Sequence, residues 1–341
     1  MTTQRTPRRG PAATMTDVAQ LAGVSVATVS RFLNGSAQVT EDKRQAVEQA
    51  IRKLNFRPNL SAQSLRSGSS KTIGVLTQDF ESPYFNVSLR GVERGLVGSG
   101  YAPLVVPGHW QAAEEAERVE LLLARGIDAL IVLGGSLADA QLLAFSERLP
   151  VAVTGRRLQG PRLASFYANQ ILGGRMATEH LIALGHRVIA HVAGPSEHPD
   201  AIERKEGFMQ AHRAAGLPVD PRLIVPGNYL ESGGEAALDA LMATGLAFSA
   251  VFCANDLTLW GLRLALHRRG VQVPQEVALI GFDDVPASRY MTPPVSTVRQ
   301  PVLEMGQAAA EATLAMLGGQ AAGEPQQFEL SLTARETSGP A

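Results

Sequence analysis

The sequence contains a single cysteine, Cys253, among 341 residues. One thiol excludes an internal disulfide framework and a zinc site built from cysteines. Cys253 lies in the apolar run AVFC, and we interpret it as a small buried hydrophobic residue rather than a reactive thiol. This cysteine usage fits a reducing compartment.

Long hydrophobic runs are missing as well. No apolar stretch reaches the ~18 to 20 residues that span a bilayer. No apolar segment follows the basic N-terminus MTTQRTPRRGPAAT to form a secretory signal. We therefore expect a cytoplasmic, nucleoid-associated protein without a membrane partner. The hydrophobic share of 45% and the charged share of 18% are ordinary for a globular protein with a full core.

The common catalytic motifs are absent from the sequence. It has no P-loop, no H-E-x-x-H and no G-x-S-x-G. The segments ALIVLGGSLAD and GLVGSG carry glycines, but neither has the G-x-G-x-x-G spacing after a strand. We therefore expect no enzyme, no cofactor and no metal site; an enzyme on a Rossmann-like fold is the alternative from another functional class.

Positive and negative charges balance over the whole chain but not within its two parts. The net charge is −1, yet residues 1–70 hold ten Lys and Arg against four Asp and Glu, and the remainder holds 21 against 28. A basic head on an acidic body indicates that only the head meets a polyanion such as nucleic acid. A solvated basic tail is the alternative reading of the charge alone.

The N-terminal part of the chain has the pattern of a small helical domain. Residues 1–14 lack periodicity and are predicted to be a disordered basic arm. Residues 15–58 are predicted to hold three short helices. We expect Thr16 to cap the first helix, Gly23 to supply the turn, and Ser25 to cap the second helix.

The third helix and the segment after it complete this head. Thr40 is expected to cap the third helix and Pro58 to stop it. Three such helices in so short a span predict a helix-turn-helix DNA-binding domain. Residues 59–70 are predicted to be a polar linker that forms one or two helical turns but does not hold them alone.

From Lys71 onward, continuous apolar runs alternate with amphipathic segments. Such runs as TIGVLT, ALIVLGG, VIAHVAG, AVFCAND and VALIGFDD are typical of parallel strands covered by helices on both faces. Eight or nine such units exceed one open sheet, so we predict an α/β core of two doubly wound parallel-sheet lobes. Ligands in such folds bind beyond the carboxyl ends of the strands.

Several motifs, in this order and spacing, resemble the LacI/GalR family of transcriptional regulators. They include MTDVAQLAGVSVATVSRFLNG in the head, then HLIALGHRVIAHVAGP, FCANDL, VALIGFDDV and PPVSTVRQP in the body. The resemblance covers nearly the whole chain. It implies a helix-turn-helix head, a hinge helix, and a periplasmic-binding-protein-like body that binds an effector and dimerises.

The resemblance also implies approximate boundaries within the body, residues 71–336. The N-lobe would comprise about residues 71–169 and 298–326, and the C-lobe about 170–297 and 327–336, with three crossings between them. Residues 337–341 would form a tail.

In such heads the second helix enters the major groove. Arg31 would fork onto O6 and N7 of guanine, whereas Val26 and Ala27 would make apolar contacts. Leu65 of the hinge helix would wedge into the central minor-groove step and kink the DNA; packing against the body is its alternative. The remaining expected DNA contacts, mostly to phosphate, are Thr16, Ser25, Thr28, Ser30, Asn34, Asn59 and Ala62. Helix capping or plain surface exposure is the alternative for Ser25 and Thr28.

The resemblance likewise implies an effector pocket between the lobes. Its expected residues are Tyr84, Phe85, Arg156, Arg204, Tyr229, Asn255 and Asp283. Arg204 and Asp283 would offer opposite halves of the hydrogen bonds that vicinal hydroxyls need. The aromatic rings would lie against a sugar ring. A sugar or sugar acid is therefore the expected effector, with a purine-type effector as the alternative.

Two positions depart from the family pattern. Gly155 with Arg156 and Arg157 stands where many members carry Asp, and Ala168 precedes Asn169 where many carry another Asp. We hypothesise that Arg156 pairs with an acid or phosphate on the effector. The family mechanism implies a homodimer on double-stranded operator DNA whose affinity the effector shifts. No leucine heptad follows the body, so a dimer is expected.

Overall fold

The computed structural model describes residues 13–33, 39–56 and 68–341. The chain divides into two compact units, residues 1–70 and residues 71–341. Each unit is described by itself below.

Within residues 13–33 and 39–56, the smaller unit has three helices around a small apolar core. These are α1 (Met15–Ala22), α2 (Val26–Leu33) and α3 (Glu41–Leu54). They arise where apolar residues recur at helical spacing, and they bury Val18, Val29, Val47, Ala50 and Phe56 against one another. The helix-turn-helix prediction is confirmed. The expected stop at Pro58, and the expected hinge helix up to Ser67, lie outside the described residues.

The predicted cap of the first helix was wrong. Thr14, not Thr16, is the N-cap: its hydroxyl accepts from the amide of Asp17 (3.3 Å), and the Asp17 carboxylate accepts from the amide of Thr14 (2.8 Å). This reciprocal pair needs an acceptor three residues after the cap, which Thr14 has in Asp17. Ser25 caps α2 as predicted, accepting from the amide of Thr28 (3.2 Å). Thr40 precedes α3 without a side-chain cap hydrogen bond.

The larger unit contains two six-stranded sheets, each flanked by helices. The N-lobe sheet is entirely parallel, in the order β11-β5-β4-β3-β1-β2. Its strands are β1 (Thr72–Thr77), β2 (Ala102–Pro107), β3 (Ala129–Leu133), β4 (Val151–Thr154), β5 (Leu163–Ala168) and β11 (Gln326–Phe328). Its helices are α4 (Pro83–Leu96), α5 (Ala112–Ala124), α6 (Asp139–Arg148) and α11 (Val302–Leu317).

The C-lobe sheet has the order β12-β10-β9-β8-β6-β7, with β12 antiparallel to β10. Its strands are β6 (Ile189–Val192), β7 (Ile224–Val225), β8 (Ala250–Cys253), β9 (Ala278–Asp283), β10 (Thr297–Arg299) and β12 (Ser331–Thr333). Its helices are α7 (Gln170–Ala183), α8 (Pro199–Ala215), α9 (Glu231–Ala243) and α10 (Asp256–Arg268). Strands such as β3, β8 and β9 are buried along their whole length, which is the reason their sequences are continuously apolar.

The chain crosses between the sheets three times: after β5, after β10 and after β11. These crossings lie within a few residues of the expected ones. In the part of the chain that the structure describes, no helix combines the length and apolar character needed to cross a membrane.

Residues 337–341 are not a free tail. Thr337 is fully buried, its hydroxyl donating to the carbonyl of Leu279 (2.9 Å) and accepting from the amide of Ser296 (2.8 Å). The amide of Ala341 donates to the carbonyl of Leu184 (3.1 Å). The expectation of a tail was wrong because this polar segment finds backbone partners along the C-lobe.

Candidate functional site

Arg204 of the C-lobe lies near Tyr84 of the N-lobe, close enough for its charge to act on the Tyr84 phenol, and the region between the lobes around these two residues is called the cleft. Arg204 stands on α8, 3% exposed, and its guanidinium is 3.9 Å from the ring centroid of Phe282. Its Nη2 is 3.8 Å from Oδ2 of Asp200 and 3.9 Å from Oδ1 of Asp283. Its Nε donates to Oε1 of Gln170 (2.9 Å). A buried cation is thus compensated by two carboxylates, as its desolvation requires.

Asp283 ends β9 in a conformation that few non-glycine residues adopt, with φ of 107°. Its Oδ1 accepts a hydrogen bond from Nε2 of Gln300 (2.9 Å), and Gln170 in turn donates to Gln300 (2.9 Å). Burial raises the pKa of Asp283 to about 6, while the charge of Arg204 acts in the opposite direction. The Arg204–Gln170–Gln300–Asp283 network therefore forms a closed ring of polar side chains at the strand ends.

Tyr229 is held beside this network from two sides. Its φ is 63°, and its carbonyl accepts from Nδ2 of Asn255 (2.9 Å). A Cβ on Gly194 would lie 2.3 Å from Cζ of Tyr229, so only glycine leaves room for the ring there. The Tyr229 hydroxyl is buried and has no hydrogen-bond partner among the described residues.

The N-lobe contributes aromatic rings. Tyr84 and Phe85 begin α4 and meet edge to face, with centroids 5.1 Å apart. Phe85 belongs to the N-lobe core and contacts Trp110 at 5.7 Å. Burial, then the nearby charges of Asp283 and Asp200, raise the pKa of Tyr84, so its phenol stays neutral and keeps its proton for donation.

One aromatic contact joins the two lobes. The indole of Trp110, between β2 and α5, lies 4.0 Å from the imidazole of His198, which immediately precedes α8. The ring of His198 contacts that of Tyr229 in turn, with centroids 5.6 Å apart. An unbroken run of aromatic rings therefore reaches from the N-lobe to the C-lobe along one side of the cleft.

The head presents an exposed face on α2. Val26, Ala27 and Arg31 are exposed there, and Nε of Arg31 donates to the carbonyl of Ala27 (3.3 Å). Thr16 is exposed on α1, and the hydroxyls of Ser25 and Thr28 are 2.9 Å apart at the start of α2. Ser30 is half-buried. Asn34, Asn59, Ala62 and Leu65 lie outside the described residues.

Comparison with known proteins identifies both units. Residues 14–59 match the model for bacterial regulatory proteins of the lacI family, and residues 178–338 match a periplasmic binding protein-like domain. The HTH-type transcriptional regulator GalR of Escherichia coli K12 is 36% identical over 305 residues, 89% of each chain. The chain belongs to the LacI family. It is a DNA-binding transcriptional regulator.

Two further relatives support this placement. The ribose operon repressor of Escherichia coli K12 is 35% identical over 87% of this chain and 91% of that one. A crystal structure of the lac repressor dimer bound to operator and the anti-inducer ONPF superposes with a TM-score of 0.84, at 26% identity, covering 96% of this chain and 99% of that one. The predicted LacI-family fold, a helix-turn-helix head with a two-lobe α/β body, is confirmed. The relatives are regulators rather than enzymes.

Within the LacI-family body, the structure brings together six of the seven expected effector residues. The seventh, Arg156, is near enough to Asp200 for its charge to oppose the rise in the pKa of that carboxyl. Arg156 is engaged by its own lobe: Nη1 donates to the carbonyl of Leu137 (2.6 Å) and to Asp139 (3.1 Å), and Nη2 donates to the carbonyl of Gly135. Its charge is already paired with that of Asp139. Asp139 is 62% exposed, and the charge of Arg156 also acts on Asp200. The pairing of Arg156 with an acid on the effector stays a prediction.

The sequence reasoning missed Trp110, His198, Asp200, Gln170 and Gln300. Asp200 carried a signal, because it stands four residues before Arg204 and so shares its face of α8. The sequence held no signal for the other four residues, since their partners are distant in the chain. Within residues 13–33, 39–56 and 68–341, no cluster of three or more His, Cys, Asp or Glu side chains is arranged to hold a metal ion.

Proposed function

We propose that this regulator represses transcription by binding an operator as a homodimer, and that a neutral sugar in the cleft between its lobes controls that binding. The observation that carries the proposal is the buried Arg204 between Asp200 and Asp283, with aromatic rings from both lobes beside it. A sugar ring requires this combination: polar groups that donate and accept at its hydroxyls, and apolar surfaces against its faces.

The charges at the site favour a neutral effector over a sugar acid or phosphate. Two carboxylates, Asp200 and Asp283, face the guanidinium of Arg204, and the charge of Arg156 reaches Asp200 while it pairs with Asp139. The site therefore holds no excess of positive charge to attract an anion, whereas its donors and acceptors suit the hydroxyls of a neutral sugar. Stacking on Tyr84 and Tyr229 would also suit a purine, which remains the alternative for the effector.

The head supplies the operator contacts. Arg31 would fork onto a guanine in the major groove, and the apolar side chains of Val26 and Ala27 would contact thymine methyl groups. The exposed hydroxyls of Thr16, Ser25 and Thr28 would bind phosphate and set the register. The effector changes operator affinity only by binding more tightly to one arrangement of the lobes than to the other.

The test of DNA binding uses the purified full chain and sheared DNA of its own genome. We expect the retained fragments to share a short near-palindromic sequence. Arg31→Ala should abolish this enrichment, since each bidentate base contact contributes roughly 1–3 kcal/mol. Arg222→Ala, which removes an exposed C-lobe arginine paired with Asp220, is the matched control and should retain the same fragments. Retention without a shared sequence would contradict the proposal.

The test of the effector class titrates the operator complex with D-galactose, D-ribose, galacturonate and hypoxanthine. We expect a neutral sugar to shift operator affinity, and Asp283→Asn to abolish that shift while leaving sugar-free operator binding intact. A response to galacturonate alone would show that the effector is a sugar acid. A response to hypoxanthine alone would establish the purine alternative.

A further inference from the structure

The loop that carries Trp110 is held in a costly backbone conformation. His109 and Trp110 are consecutive non-glycine residues in the left-handed region, with φ of 54° and 59°. Each such residue costs about 1–3 kcal/mol and persists only where surrounding contacts enforce it. Glycine would adopt these φ values without strain. The presence of His109 and Trp110 instead indicates that their side chains have a function.

The surrounding contacts fix the Trp110 backbone at both ends. Oε1 of Gln78 accepts from the Trp110 amide (2.8 Å), and Oγ of Ser136 donates to the Trp110 carbonyl (3.1 Å). Ser136 is held in turn by Glu115, whose fully buried carboxylate accepts from the amides of Ser136 (2.8 and 2.9 Å) and Leu137 (3.0 Å). A buried polar network of this kind orients one side chain with little freedom.

The restrained backbone places the indole of Trp110 against the imidazole of His198 in the other lobe. With their centroids 4.0 Å apart, the rings of Trp110 and His198 leave no space between them for another ring. An inserted sugar would need about 3.5–4.0 Å on each of its faces, roughly twice the present separation. This side of the cleft is therefore shut while the lobes keep this arrangement.

We propose that Trp110 and His198 form a wall that closes one side of the effector site and stops a longer sugar from extending past it, which makes both residues determinants of specificity. Gln78, Ser136 and Glu115 are positioning residues that aim Trp110 at its partner. This inference rests on the proposed sugar site, because it specifies what size of sugar that site accepts.

The wall itself is tested by tryptophan fluorescence without any sugar. The sequence has two tryptophans, so Trp260→Phe leaves Trp110 as the sole fluorophore. In that background, His198→Ala should increase quenching of Trp110 by acrylamide about twofold or more, because the ring covering the indole is removed. His267→Ala removes an exposed C-lobe histidine and should leave quenching unchanged. Equal quenching in Trp260→Phe and in its His198→Ala and His267→Ala derivatives would overturn the proposal of a wall.

The positioning role is tested in the same background at Ser136. Ser136→Ala should increase acrylamide quenching of Trp110, whereas Ser136→Thr, which keeps the hydroxyl donor, should restore the wild-type value. An effect of equal size in both variants would show that Ser136 serves the loop only structurally, and would remove it from the proposal.

The specificity is tested by calorimetry with D-ribose, D-galactose and the disaccharide cellobiose. Wild-type protein should bind a monosaccharide and reject cellobiose; Trp110→Ala should gain cellobiose affinity by about tenfold relative to the monosaccharide. Unchanged selectivity in Trp110→Ala would overturn the inference. If the fluorescence result holds and no sugar binds to wild type or variant, the proposed sugar effector fails while the cross-lobe contact stands.

Discussion

The side-chain amide of Asn255 donates a hydrogen bond to the backbone carbonyl of Tyr229 across 2.9 Å. The same side chain caps α10, since its Oδ1 accepts from the amide of Thr258 (3.0 Å). Asn255 therefore joins the start of a C-lobe helix to the loop that presents Tyr229 to the cleft. Both hydrogen bonds are internal, so we expect Asn255 to act on the proposed effector site through the placement of Tyr229.

Two substitutions separate these roles. Asn255→Ser keeps a capping oxygen but is too short to reach the Tyr229 carbonyl, so we expect weaker effector binding with most of the helix cap retained. Asn255→Ala also loses the cap and should have a free energy of unfolding about 1 kcal/mol lower than that of Asn255→Ser. Urea denaturation and calorimetric titration with the effector sugar measure the two effects. Undiminished sugar affinity in Asn255→Ser would contradict this division.

Removing the buried cation should be far more damaging. Arg204→Ala leaves Asp200 and Asp283 facing each other in a desolvated site, and breaking a buried pair in this way costs roughly 3–5 kcal/mol. Arg213→Ala, on the same helix but in an exposed pair with Glu206, is the matched control and should cost less than about 1 kcal/mol. Thermal denaturation of the two variants compares these values directly, and similar losses would argue against the buried-charge account.

Asp256 predicts a pH dependence of stability. Its carboxylate is fully buried and accepts from the amide of Val285 and the hydroxyls of Ser288 and Thr297. Burial raises its pKa from 3.8 to about 7. Because the folded pKa lies above the unfolded one, the stabilisation is complete below about pH 4 and is lost as the pH rises through about 7.

The measurement is urea denaturation of wild type and Asp256→Asn at several pH values. The free energy of unfolding of wild type should fall relative to that of the variant between about pH 4 and 7. The hydrogen bonds that Asp256→Asn loses change its free energy of unfolding by the same amount at every pH. The quantity to compare is therefore the slope of that free energy against pH. Asp239→Asn, on an exposed face of α9, should keep the wild-type slope. Parallel curves for wild type and Asp256→Asn would refute the prediction.

The two threonines at the start of the head should behave in opposite ways. Thr14→Ala removes the capping box and should destabilise the head by about 1 kcal/mol. Thr16→Ala should leave stability unchanged but weaken binding to all DNA sequences alike, as loss of a phosphate contact does. Circular dichroism melting and fluorescence anisotropy with an operator duplex give the two readouts. A stability loss in Thr16→Ala would reverse our assignment.

The expected residues of the site came from the family resemblance. It placed Arg204 in ERKEGF and Asp283 in GFDD, and in the structure Arg204 lies on α8 and Asp283 ends β9. Asp200 could have been found by its four-residue spacing from Arg204. Thr16 was misjudged as the cap because two threonines, Thr14 and Thr16, stand at the start of the helix, and only the reciprocal pairing of Thr14 with Asp17 separates them.

The sequence by itself determined the architecture: helical periodicity in the head, and apolar strands alternating with helices in the body, because each of these patterns arises from neighbours along the chain. Only the tertiary structure decided what the site's charges and rings do. Arg156 finds Asp139 from a neighbouring element, and Trp110 meets His198 from the other lobe. Such contacts depend on how elements that are distant in the chain approach each other, which no local pattern encodes.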